Sequence, residues 1–128
     1  MHKNEALLRK GYEAFANSDL EAVNALFADD VVFHTVGKNP LAGTYKGKDE
    51  VFGFLAQIIS QTDGTYKAEL HDVVANDEHS IALANVTATR NSKSIAYQQI
   101  AIYHVADGRV TEAFYQTTDQ YAEDAFWS

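Results

Sequence analysis

The chain has 128 residues, 46% of them hydrophobic and 12% aromatic, with no cysteine and a formal net charge of −8. Ten basic against 18 acidic side chains leave no basic patch for nucleic-acid phosphates or an anionic membrane. No apolar run approaches the ~20 residues of a bilayer span, and the lack of cysteine removes disulfides, thiolate nucleophiles and thiolate metal sites.

That length suits one domain, residues 1–128, with a buried core. The N-terminus is amphipathic, carries Glu5 and does not read as a secretion signal. With the missing cysteines, this points to the cytoplasm.

Residues 3–17 place Leu8, Tyr12 and Phe15 on one helical face. Ser18, with Glu21 three residues on, reads as a capping box. It opens a second helix with the stripe Leu20, Val23 and Phe27, ended by Asp29-Asp30. Val31 to Val36 is the first strand. A loop with the only proline, Pro40, and glycines at 37, 43 and 47 leads to a third helix, Lys48 to Gln61. Its apolar face holds Val51, Phe54, Leu55, Ile58 and Ile59.

After the Asp63-Gly64 turn the chain alternates with the period of strands. These are Thr65–Ala75, His79–Arg90, Ser94–Val105 and Arg109–Thr118, the last pair joined at Asp107-Gly108, a strong hairpin signal. The tail 119–128 is expected to form a turn of helix ending in Phe126-Trp127.

The order ααβαββββ predicts an α+β fold: a curved, cone-shaped antiparallel sheet wrapped over three amphipathic helices. Such an arrangement encloses a hollow where a small molecule binds.

The stretches Phe27-Ala28-Asp29-Asp30, Gly43 to Val51 (GTYKGKDEV) and Asp107-Gly108-Arg109-Val110 resemble the nuclear transport factor 2-like superfamily over nearly the whole chain. Two motifs narrow this to its SnoaL-like, ketosteroid-isomerase-related subgroup. One is an HxxG…PLxGxYxG loop, here His34 to Gly37 and Pro40 to Gly47. The other is a DQYxxDxFW tail, here Asp119 to Trp127. Enzymes, binding modules and dimerisation domains share this fold, so function has to be argued from the site.

An isomerase of this kind needs a carboxylate base and an oxyanion hole made by a tyrosine and a protonated acid. The resemblance puts the base at Thr35 and the acid at Ala101, and sets Tyr12 one residue out of register with the tyrosine. The cyclases resemble a simpler design with one acid on the last strand, where this chain reads Phe114-Tyr115-Gln116. The remaining ionisable candidates for catalysis are His34, Glu112, Tyr12 and Asp119. Asp119 has the alternative of holding the tail through backbone amides, and His34 that of bonding a loop carbonyl.

The resemblance, which sets Thr35 and Ala101 inward, implies with strand alternation that Phe33, Thr35, Tyr97, Gln99 and Tyr103 line the pocket; the last strand's own pattern adds Phe114 and Gln116, with Glu112 inward beside Phe114, and the helices add Phe15 and Phe54. No cofactor is called for. His34, His71, His79 and His104 lack ligating spacing, so no metal site is expected. Two readings follow. The first is a cofactor-free acid–base enzyme, an isomerase, cyclase or dehydratase acting on an apolar, oxygen-bearing molecule. The second is a binding or dimerisation module that has lost the acids. In either case the strands carry apolar side chains on both faces, which predicts a homodimer through the outer sheet face.

Overall fold

A computed structural model describes residues 1–128. Helix α1 (Lys3–Ala16) ends where Ser18 turns left-handed, at φ 56°. The Ser18 amide then reaches the Phe15 carbonyl and the Asp19 amide the Ala14 carbonyl, the two-bond Schellman closure. Ser18 is therefore spent on ending α1, and the predicted Ser18–Glu21 capping box does not form. Asp19 caps α2 (Leu20–Ala25), its carboxylate accepting from the Ala22 amide at 3.1 Å. At the other end of α1, buried Asn4 donates to the carbonyls of Asn76 and Asp77, tying the helix to a sheet turn.

Strand β1 (Phe27–Thr35) starts earlier than the periodicity implied, because Phe27 pairs with Val110 in the sheet instead of extending α2. Part of the proline loop forms a short strand, β2 (Gly43–Lys46), antiparallel to β1. Helix α3 (Gly47–Gln61) buries Val51, Phe54, Leu55 and Ile58. Then come β3 (Lys67–Ala75), β4 (His79–Arg90), β5 (Lys93–Ala106) and β6 (Arg109–Thr117), and the tail forms a full helix, α4 (Gln120–Trp127).

The fold is the expected α+β one, with a fourth helix added. A curved six-stranded sheet in the order β2-β1-β6-β5-β4-β3 carries the helices. One pair departs from the antiparallel expectation: β1 and β6 run parallel. The β5–β6 hairpin turns at Asp107-Gly108, both with positive φ, as its two-residue turn requires. Fully buried Phe33 sits at the centre of the core, edge-on to Phe27 and Phe54 and tilted against Tyr115.

Candidate functional site

Between the helices and the inner sheet face lies a cavity of about 120 Å³, with 19 of its 23 lining residues hydrophobic. Of the expected lining, Phe15, Phe33, Thr35, Phe54, Tyr97, Gln99 and Tyr103 face it, as does Tyr12. Glu112, Phe114 and Gln116 do not. The pairing of β5 with β6 shifts between Val105–Val110 and His104–Glu112, leaving Thr111 as an extra residue. Such a bulge reverses the alternation beyond it. Val110 points inward, and past the bulge Ala113 is buried while Tyr115 lines the cavity. The strand's sequence carries no glycine to mark this bulge, so period-2 counting from Val110 put the wrong side chains inside.

The displaced residues gather on the outer face. His34 Nε2 meets Glu112 Oε2 at 2.7 Å, and His104 Nδ1 lies 3.5 Å from Glu112 Oε1. The His34 ring stacks on Phe114, with centroids 4.5 Å apart. Asp119 caps α4, accepting from the Ala122 amide at 3.1 Å. No three His, Asp or Glu side chains are disposed to hold a metal ion.

Inside, three tyrosines form a chain. Tyr12 and Tyr103 hydroxyls are 3.0 Å apart, and Tyr103 donates to Tyr115 at 3.1 Å. Each hydroxyl has one proton. Tyr103 gives its proton to Tyr115 and so accepts from Tyr12, and the proton of Tyr115 is left without a protein acceptor. Burial holds all three phenols well above their usual range, so each remains a neutral donor. Polarisation along the chain strengthens the terminal donor. Tyr66 lies within electrostatic reach of all three, and burial pushes it up to about 12.

Glu123, on α4, is the one carboxylate lining the cavity. Desolvation, then the neighbouring Asp124, pushes it up to about 7. The five ion pairs lie elsewhere, so no cation neutralises it. Its charge acts on Tyr97 and Tyr66. Glu123 and Trp127, absent from the expected lining, both line the cavity, their i, i+4 spacing putting them on one helical face.

Helix α4 is held at both ends. Asp124 accepts from the Lys38 amide, Asn39 Nδ2 and Gln120 Nε2 at 2.9, 2.7 and 2.9 Å, which clasps the Gly37 loop. From the β4–β5 turn, Arg90 donates to the Phe126 and Ser128 carbonyls and Lys93 to those of Ala125 and Ser128, cations at the negative end of the helix.

A curved mixed sheet closed over helices around an apolar hollow is the fold of the nuclear transport factor 2-like class of proteins. Residues 8–113 match the SnoaL-like domain, and the chain belongs to that family. It is similar to an uncharacterized protein of Mycobacterium tuberculosis, 34% identical over 95% of this chain and 94% of the relative. Among solved structures it is similar to Bal32a from a soil-derived mobile gene cassette, at 31% identity and a TM-score of 0.95 over 98% of this chain and 97% of that one. An NTF2-like protein of unknown function from Burkholderia pseudomallei shares the fold at a TM-score of 0.89 and 23% identity, over 100% of this chain and 99% of that one. No helix is long and apolar enough to cross a membrane.

Proposed function

We propose that the cavity binds a small apolar molecule carrying a carbonyl or hydroxyl oxygen and acts on it by cofactor-free acid–base chemistry. The observation that carries this reading is the free Tyr115 proton and the unpaired Glu123 carboxylate on the walls of one apolar cavity. Tyr115 donates to the ligand oxygen, with Tyr103 and Tyr12 behind it. Glu123 is poised near neutrality, where a group both takes up and releases a proton readily. Proton abstraction next to a carbonyl sends the bonding electrons to its oxygen, where Tyr115 steadies the developing charge. Return of that proton from Glu123 to another carbon completes an isomerisation; its delivery instead to a β-hydroxyl, which leaves as water as the enolate collapses to the enone, completes a dehydration.

Size limits the ligand. A cavity of about 120 Å³ is on the scale that holds a single ring, an engineered site of ~150 Å³ being enough for benzene. A one-ring enone or phenol therefore fits better than a fused polycycle. The alternative reading, a passive binding module, draws on Thr35 and buried Ala101, since neither exchanges a proton at the two positions where the isomerases carry acids. A thermal-shift and calorimetric panel of one-ring ketones and phenols, followed by exchange of the ketones' α-protons with solvent deuterium, separates the two. Binding with exchange that Glu123→Gln abolishes supports the enzyme. Binding without exchange supports the module, and no binding at all ends both.

The protein is further proposed to be cytoplasmic and to work as a two-fold dimer through the outer sheet face. That face exposes Val74 and Ile81, and an apolar surface is covered most simply by a second copy.

A further inference from the structure

The cavity holds a second group of polar side chains, apart from the Tyr12–Tyr103–Tyr115 chain. Tyr97, Gln99, Ala101 and Tyr103 are alternate positions on β5, and all but the buried Ala101 line the cavity. Tyr115 stands beside Ala101 in the sheet. Gln99 is the next inward position along β5, a step of about 7 Å. Tyr66, just before β3, reaches the same end of the cavity. Its ring sits edge-on to Phe15 at 6.0 Å and tilted against Trp127 at 6.4 Å, which fixes where its hydroxyl points. Tyr97 and Gln99 both turn donors toward the Tyr66 oxygen. With that oxygen accepting, the single Tyr66 proton is uncommitted, and the carbonyl half of the Gln99 amide is left over as an acceptor.

We propose that Tyr66 and Gln99 form a second polar pole of the cavity, and that the ligand is a six-membered ring with two oxygens on opposite sides, a carbonyl held by Tyr115 and a hydroxyl held by Tyr66 and Gln99. This rests on the cavity reading above and narrows its ligand from one oxygen to two. A hydroxyl both accepts and donates, so it meets the Tyr66 proton and the Gln99 carbonyl together. An apolar substituent in its place would leave both unpaired, and a site built to bond a hydroxyl rejects the analogue that lacks it. Between the poles Ala101 carries only a methyl, which leaves the space over it to the ring. Burial raises both phenols of this group, Tyr66 to about 12, so they stay neutral donors. The second oxygen belongs to a hydroxyl and not to a carboxylate, since the negative charge of Glu123 already acts on Tyr66 and Tyr97.

The test is calorimetric titration of the full chain with 4-hydroxycyclohexanone and with 4-methylcyclohexanone. The two share the ring and the carbonyl, and their substituents are of nearly equal size. The hydroxy ketone, although the better hydrated of the pair, is expected to bind about tenfold tighter. In Tyr66→Phe/Gln99→Leu, with circular dichroism matching wild type, the order should reverse, because the methyl group then meets an apolar wall. A wild-type protein that binds the two alike, or prefers the methyl ketone, overturns the second pole whether or not the variant folds. A hydroxyl preference that persists in the double variant overturns the assignment to Tyr66 and Gln99. Failure of both ketones to bind overturns the cavity reading itself.

Discussion

Tyr103 donates to Tyr115 across 3.1 Å, and Tyr115 thereby holds the one hydroxyl proton of the chain that the protein does not use. Replacing Tyr115 by Phe removes that donor and strands the Tyr103 proton. Ligand affinity should fall about tenfold, and the fold should lose on the order of 1 kcal/mol for the unpaired hydroxyl. Calorimetric titration with a one-ring phenol, alongside urea unfolding, measures both.

Glu123 links the cavity to pH. Its carboxyl is raised from 4.5 to about 7, so the folded state favours the protonated form. The stability this confers is complete below pH 4.5 and is lost as pH rises through about 7. Glu123→Gln keeps the neutral form throughout. The variant should match wild type at about pH 5 and exceed it by a few degrees in Tm at about pH 8, the effect being reduced by partial solvent screening. Melting curves across that range decide it, and a variant less stable at the higher pH would contradict the desolvated state of Glu123.

The clasp between α4 and the Gly37 loop makes a separate claim. Gly37 has φ 124°, and a Cβ there would collide with the Gln120 amide and the Asp124 carboxylate. Gly37→Ala should therefore cost about 1–3 kcal/mol in chemical denaturation. Asp124→Ala should loosen α4 and weaken ligand binding while leaving the sheet intact. Hydrogen exchange of the α4 amides, faster in Asp124→Ala with unchanged exchange in β4 and β5, would show this.

Phe33 fixes the back wall. It is fully buried and touches Phe27, Phe54 and Tyr115. Phe33→Ala should destabilise by about 3–5 kcal/mol and enlarge the cavity. A variant that still folds should accept larger ring systems than wild type in the same binding panel.

Local patterns carried most of the fold. The helical stripes, the Asp107-Gly108 turn and the long alternating strands can be read from neighbouring residues, and they survive in three dimensions because burial agrees with propensity there. Ser18 and Asp19 show where that stops. Both are good caps, and what chose between them was the left-handed closure of the preceding helix. The site was half legible. Phe33, Thr35, Tyr97, Gln99 and Tyr103 followed from the family resemblance, which set Thr35 and Ala101 inward, extended by alternation along regular strands. Glu112, Phe114 and Gln116 were assigned inward across Thr111, and nothing local announces that a strand gains a residue against its partner. Glu123 was hidden for another reason: its burial depends on α4 being pinned by Asp124, Arg90 and Lys93, contacts between segments distant in sequence.

The most direct test of the cavity chemistry is a crystal structure of the protein soaked with a one-ring cyclic enone. The ligand should lie between the helices and the sheet, with its oxygen within hydrogen-bond reach of the Tyr115 hydroxyl and a ring carbon facing Glu123. A ligand held with its oxygen away from Tyr115, or a cavity that stays closed to it while the probe binds on the outer sheet face, would contradict the account.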